Sequence, residues 1–205
     1  TTGLTNWWKL DEPSGTSASD SSGANPGILT NMESTDWASG IINNSLVFDG
    51  TNEFFDVGDI SDRSAGAISF WFKPSAYGGW IFANRGINGV NCYVQNNSVY
   101  RVTCSLKGNN SEASVVSATN SVSKLNVWYH LVLTADRDGN AELYLNGQKN
   151  TKTTSIEGIG SLTGTYTSAS NQNYFSIGAS NFNAGNAFNG IIDEAIVFNR
   201  VLSMD

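Results

Sequence analysis

The stretch from Tyr77 to Asn88, with Asn91 and Tyr93 just beyond it, mixes flat rings with amides and a guanidinium: Tyr77, Trp80, Asn84, Arg85, Asn91 and Tyr93. A sugar ring offers C–H faces that stack on aromatic side chains, and hydroxyls that hydrogen-bond to amides or Arg. This mixture is therefore what a glycan-binding surface needs. The same residues also admit a plain structural reading, in which Trp80 opens a strand and packs in the core while Tyr77 shields an edge. A second set of amides (Asn171, Asn173, Asn181, Asn183, Asn186 and Asn189) forms another candidate rim.

A different chemistry is available at Asp20-Ser21-Ser22-Gly23-Ala24-Asn25-Pro26-Gly27, a loop of small and amide residues behind a leading carboxylate. Calcium takes roughly six to eight hard oxygen ligands, which carboxylates, amide oxygens and loop carbonyls can supply together. Asp20 closing an Asx-turn on its own loop is the alternative, and it needs no metal. Other chemistries lack parts. His130 is the single histidine, Cys92 and Cys104 do not have zinc-ligand spacing, and no Gly-x-Ser-x-Gly elbow occurs. A lone strand histidine is usually a satisfied structural residue.

Cys92 and Cys104 flank a stretch with a turn signal at Asn97-Ser98. Folded into a hairpin, the two cysteines stand near-opposite across the ladder, within bridging reach. A disulfide there implies an oxidising, extracellular setting; two buried free thiols are the alternative. Asn43, Asn96 and Asn109 open Asn-Asn-Ser triplets, which arise easily by chance in a chain this rich in Asn and Ser.

The elements that must position these residues are strands. Ile68, Phe70 and Phe72 alternate with Ser69, Trp71 and Lys73, and Tyr129, Leu131 and Leu133 alternate with His130, Val132 and Thr134. Period two is the pattern of a half-buried strand. Asp49-Gly50, Asp138-Gly139-Asn140 and Asn146-Gly147 punctuate the runs with turn chemistry. Twelve strands are expected between Asn6 and Phe198, no long helix is, and residues 151–173 read as a surface loop. The 205 residues suit one all-β domain, a two-sheet antiparallel β-sandwich or jelly roll spanning 1–205.

Composition narrows the partners. With 18 Asp+Glu against 11 Lys+Arg, a net charge of -7 and basic residues scattered singly, the chain has no footprint for a phosphate backbone, so nucleic acid is not an expected partner. No apolar run is long enough for membrane insertion. The N-terminus lacks the parts of a signal peptide, so the chain reads as a processed or excised piece.

Trp8-Lys9-Leu10-Asp11-Glu12, the Asp20–Gly27 loop, Leu46-Val47-Phe48-Asp49-Gly50, Ile68 to Pro74, Trp128-Tyr129-His130-Leu131, Leu143 to Gly147 and Phe188 to Glu194 follow one another in a telling order. Together they resemble LamG-like jelly-roll domains of the concanavalin A-like lectin/glucanase superfamily. The resemblance implies two curved antiparallel sheets face to face, with the first and last strands adjacent and Trp7, Trp71 and Trp128 in packing roles. It also implies that Asp193 lies near the Asp20 loop. A structural calcium would then be held by Asp20 and Asp193, with Asn25 and the backbone at Gly23 and Gly27 completing the shell. Retaining glucanases of that superfamily place two carboxylates about 5 to 5.5 Å apart on one strand face. The segment Asp193-Glu194-Ala195-Ile196-Val197 lacks that acidic spacing.

The expected function is a non-catalytic, secreted, carbohydrate-binding module, monomeric within a larger enzyme or adhesin, with a polysaccharide or glycan as partner. The alternative is a structural or protein-binding adhesion module without a sugar site.

Overall fold

A computed structural model describes residues 2–23, 25–57, 65–84, 89–96, 98–108, 112–136, 139–149, 154–156, 175–179 and 186–203. Its strands are β1 (Leu4–Trp8), β2 (Ser17–Ala18), β3 (Gly27–Thr30), β4 (Trp37–Ser39), β5 (Asn44–Asp49), β6 (Phe54–Asp56), β7 (Ala65–Pro74), β8 (Trp80–Asn84) and β9 (Gly89–Gln95). They continue as β10 (Arg101–Lys107), β11 (Glu112–Val116), β12 (Tyr129–Asp136), β13 (Asn140–Leu145), β14 (Gln148–Lys149), β15 (Thr154–Ser155), β16 (Phe175–Ile177) and β17 (Asn189–Phe198).

Two antiparallel sheets result. One runs β14-β13-β12-β7-β17-β5-β4, with β1 added on β17 and β15 on β13; the other runs β11-β10-β9-β8-β16-β6-β3-β2. The expected sandwich is thus present, and the first and last long strands do pair, Trp8 standing opposite Ala195. All the expected strands form. The short β2, β3, β4, β14 and β15 were not foreseen: pieces of two to four residues carry no readable period.

Alternation decides what each sheet buries. Phe70 and Phe72 on β7 and Leu131 and Leu133 on β12 turn inward, as do Phe82 on β8, Cys92 and Val94 on β9, and Val102 and Cys104 on β10, all nearly free of solvent contact. The sheets meet through aromatic edges, with Phe70 and Phe82 at 5.6 Å between ring centres and Trp8 and Phe55 at 6.0 Å. Such T-shaped pairs satisfy the quadrupoles of both rings. Gly178 has φ +96, and a Cβ there would lie 2.1 Å from Phe48 Cε1, so only glycine lets the backbone pass that ring.

Of the tryptophans given packing roles by the resemblance, Trp7, Trp71 and Trp128 are instead half-exposed, while Trp8 is fully buried. The reason is register. Trp71 pairs with His130, outward of inward-facing Phe72 and Tyr129, and Trp7 pairs with outward-facing Ile196. Asn146 (φ 52) and Gly147 (φ 75) make the turn from β13 to β14 that their sequence announces.

Candidate functional site

Cys92 and Cys104 face each other in the β9–β10 ladder and form a disulfide, both fully buried. Their pairing fixes the register of the hairpin and therefore its outward face. Asn91 stands opposite Ser105, Tyr93 opposite Thr103 and Gln95 opposite Arg101.

On the neighbouring strand Trp80 pairs with Tyr93, and a bulge after Trp80 returns Phe82 to the interior opposite Cys92. The Trp80 and Tyr93 rings meet edge to face, with centroids 5.0 Å apart and planes at 66°. Gly78 and Gly79 (φ +93 and +85) let the preceding chain wrap the end of β9 through Gly78 N–H to Val94 O (3.0 Å) and Val94 N–H to Gly79 O (3.2 Å). A Cβ on Gly79 would stand 2.4 Å from Ala187 O, and a parallel bridge from Trp80 to Ala187 brings Asn186 alongside.

These elements enclose an open cleft of about 250 Å³ lined by Gly79, Trp80, Tyr93, Val94, Gln95, Asn96 and Asn186. Two half-exposed rings supply stacking surface, and three amides supply donors and acceptors. Gln95 is held in place: its Oε1 accepts from Arg101 Nε (2.8 Å) and Thr103 Oγ1 (3.2 Å).

Of the residues singled out in the sequence, Trp80 and Tyr93 come together in this cleft. Asn91 lies further along the same face, opposite Ala83 and Ser105, with its Oδ1 buried and without a hydrogen-bond partner. Tyr77 does not line the cleft. Its ring packs on Tyr100 at 4.5 Å and its hydroxyl donates to Ser123 O (2.7 Å). The Asn84 side chain and Arg85 lie outside the described residues, as do Asn171, Asn173, Asn181 and Asn183. Asn189 is engaged elsewhere, its amide donating to Asp49 O (2.7 Å). Gln95, Asn96 and Arg101 were missed in the sequence, although the Cys92–Cys104 pairing, extended by three residues, places Arg101 opposite Gln95; Asn186, expected in the second rim of amides, lines this cleft.

The Asp20 loop follows its turn chemistry. Asp20 Oδ1 accepts from Trp7 N–H (2.8 Å), Ser22 N–H (2.9 Å) and Ser22 Oγ (2.7 Å), and Oδ2 accepts from Asn6 Nδ2 (2.9 Å) and Asn25 N–H (3.0 Å). Burial alone would raise its pKa, but the donors of Trp7, Ser22 and Asn25 outweigh that and bring the carboxyl down to about 2. Gly23 N–H closes the turn on Asp20 O, the Asn25 carbonyl accepts from Trp8 Nε1 (2.8 Å), and Gly27 lies in β3, where a Cβ would sit 2.6 Å from Phe55 Cδ2.

Asp193 is fully buried in a separate setting. Its Oδ2 accepts from Ile41 N–H (2.8 Å) and Ile42 N–H (3.2 Å), and its Oδ1 has no partner. Burial pushes its pKa up to about 6, against the pull of those two N–H groups. Asp20 and Asp193 share no hydrogen-bond partner. The described residues hold no group of three or more His, Cys, Asp or Glu side chains that could hold a metal ion. Glu194, at φ 52 in the bulge after Asp193, accepts instead from Trp7 Nε1 (2.5 Å).

His130 is likewise structural in its contacts. Its ring lies 4.8 Å from Trp71 and hydrogen-bonds Ser69 Oγ (2.9 Å), and burial lowers its pKa. It has no carboxylate orienter among the described residues, so the pair lacks the third member of a nucleophilic triad.

A family model described as the concanavalin A-like lectin/glucanases superfamily matches residues 49–205. The chain belongs to this superfamily. Solved structures agree on the fold. Domain 4 of AbnA, an extracellular arabinanase of Geobacillus stearothermophilus solved with arabinotriose, is 18% identical, with 98% of this chain and 94% of that one covered and a TM-score of 0.73. The binding domain of Paraclostridial Mosquitocidal Protein 1 is 17% identical over 98% and 50% of the two chains, with a TM-score of 0.75. The ligand-binding domain of botulinum neurotoxin serotype D, solved with N-acetylneuraminic acid, is 15% identical over 98% and 48%, with a TM-score of 0.70. The present chain thus spans about half of each toxin domain. No curated protein sequence matches it.

Proposed function

We propose that this superfamily member is a non-catalytic glycan-binding module whose site is the cleft between Trp80 and Tyr93. The observation that carries the reading is the pairing of those two rings on the outward face of β8 and β9, ringed by the amides of Gln95, Asn96 and Asn186. Stacking on aromatic surface plus amide hydrogen bonds is the chemistry that sugars require. The sugar ligands named for the arabinanase domain and the serotype D toxin domain support it. The buried disulfide fits an extracellular location, and an extracellular enzyme hosts the arabinanase domain, in keeping with a module of a larger secreted protein.

We also propose that the Asp20 loop holds its shape without calcium, through the hydrogen bonds on Asp20. Support comes from the filled lone pairs of that carboxylate and the engaged Asn25 carbonyl. Affinity electrophoresis in gels containing arabinan, xylan, pectin or mucin-type glycans tests the main proposal: retardation by at least one glycan is expected, and its loss in Trp80→Ala locates the site.

A further inference from the structure

Resting on the cleft as the glycan site, we infer that it selects sugars bearing a carboxylate, and that Arg101 is the residue that reads the charge. Arg101 stands opposite Gln95, which lines the cleft, and it is half-buried. Its Nε is already committed to Gln95 Oε1 at 2.8 Å. That bond orients the guanidinium plane and leaves the two Nη groups, which have no side-chain or backbone partner among the described residues, as a free fork. A carboxylate is the planar acceptor that such a fork takes in bidentate fashion.

The arrangement is organised from behind. Gln95 Oε1 also accepts from Thr103 Oγ1 (3.2 Å), so the amide cannot turn without breaking both contacts, and its NH2 end is the part left for a ligand. No described residue lining the cleft carries a negative charge. On the β9–β10–β11 face the nearest acid by register is Glu112, opposite Lys107 at the far end of the ladder from Arg101. In a chain with a net charge of -7, the Gln95 end of this face, among the described residues, pairs one oriented cation with aromatic stacking surface and carries no carboxylate. A neutral sugar would leave the partly desolvated fork unpaired; a uronate or a sialate would satisfy it. The two sources share the chemistry and differ in what surrounds the carboxylate.

The test compares matched ligands on the intact protein by calorimetry: oligogalacturonate against its carboxyl-reduced form, and a sialylated oligosaccharide against its desialylated form. A charge-assisted bidentate contact predicts a preference of about tenfold to a hundredfold for the acidic member of at least one pair. The pair that shows it identifies the source. Arg101→Gln, which keeps an amide beside Gln95, should abolish the preference between the acidic and the neutral member; Arg101→Lys should recover it only in part. Equal binding of acidic and neutral members by the unaltered protein overturns the inference and leaves the cleft reading standing. Binding of none of the four ligands overturns the inference and leaves the cleft reading to the wider glycan panel; binding indifferent to Trp80→Ala overturns both.

Discussion

Trp80 and Tyr93 face each other across adjacent strands with ring centres 5.0 Å apart, and both are turned away from the core that their neighbours Ile81 and Val94 enter. A bulge makes this possible. Strict alternation from Phe82, which is buried opposite Cys92, leaves Trp80 on the inner side. The register shift between Trp80 and Phe82 instead turns the indole outward beside Tyr93.

The hydrogen bonds on Asp20 predict how the loop behaves. Asp20→Ala strands Trp7, Ser22 and Asn25 donors and should cost about 1–3 kcal/mol in denaturant unfolding. Because folding depresses this carboxyl to about 2, its contribution is present above the ordinary 3.8 and is lost as pH falls through about 2. The melting temperature at pH 7 should be the same with EDTA and with added calcium. A rise with calcium would restore the metal site expected from the sequence.

Glu53 predicts the opposite pH dependence. It is nearly buried and accepts from Asp49 N–H, and burial, together with the Asp49 and Asp36 carboxylates, raises it from 4.5 to about 7. Its protonated form is favoured by folding, so the stabilisation is full below pH 4.5 and is lost as pH rises through about 7. Glu53→Gln, which keeps an acceptor for Asp49 N–H, should flatten the fall in melting temperature over that window. A variant with the same pH profile as the parent would exclude Glu53 as its source.

The buried disulfide predicts a stability effect separate from binding. Cys92 and Cys104 are 12 residues apart in sequence, and replacing both with Ala should destabilise the domain by about 2–4 kcal/mol. Guanidinium unfolding of the double variant measures this. Since both sulfurs are inaccessible, dithiothreitol should reduce the bond in the folded domain only as fast as the domain opens.

Much of the sandwich was readable because long strands with one buried face repeat every two residues, as Phe70 and Phe72 or Leu131 and Leu133 show. Trp7 and Trp8 show where that fails. Two adjacent tryptophans occupy both faces, and only the pairing of Trp8 with Ala195 decides which is core. The aromatic pair of the proposed site was legible as residue types in one stretch. Tyr77, expected in the same set, packs on Tyr100 and bonds Ser123, partners distant in sequence that no local pattern announces. Asn186 enters the cleft through a bridge from Ala187 to Trp80 that no local pattern announces. Asp20 and the glycines after it are turn chemistry and calcium chemistry alike on paper; the donors around the carboxylate, which support the turn reading proposed above, come from Trp7 and Asn6 as well as from the loop itself.

The central claim is that the Trp80–Tyr93 cleft binds sugar. Its most direct measurement is glycan binding by the protein and by Trp80→Ala and Tyr93→Ala variants, each first shown to keep the parent's melting transition to within a few degrees. Losing one stacked ring should weaken binding of a retained glycan by at least about tenfold in both variants. Undiminished binding in both, or a parent protein that no glycan retains, would contradict the account.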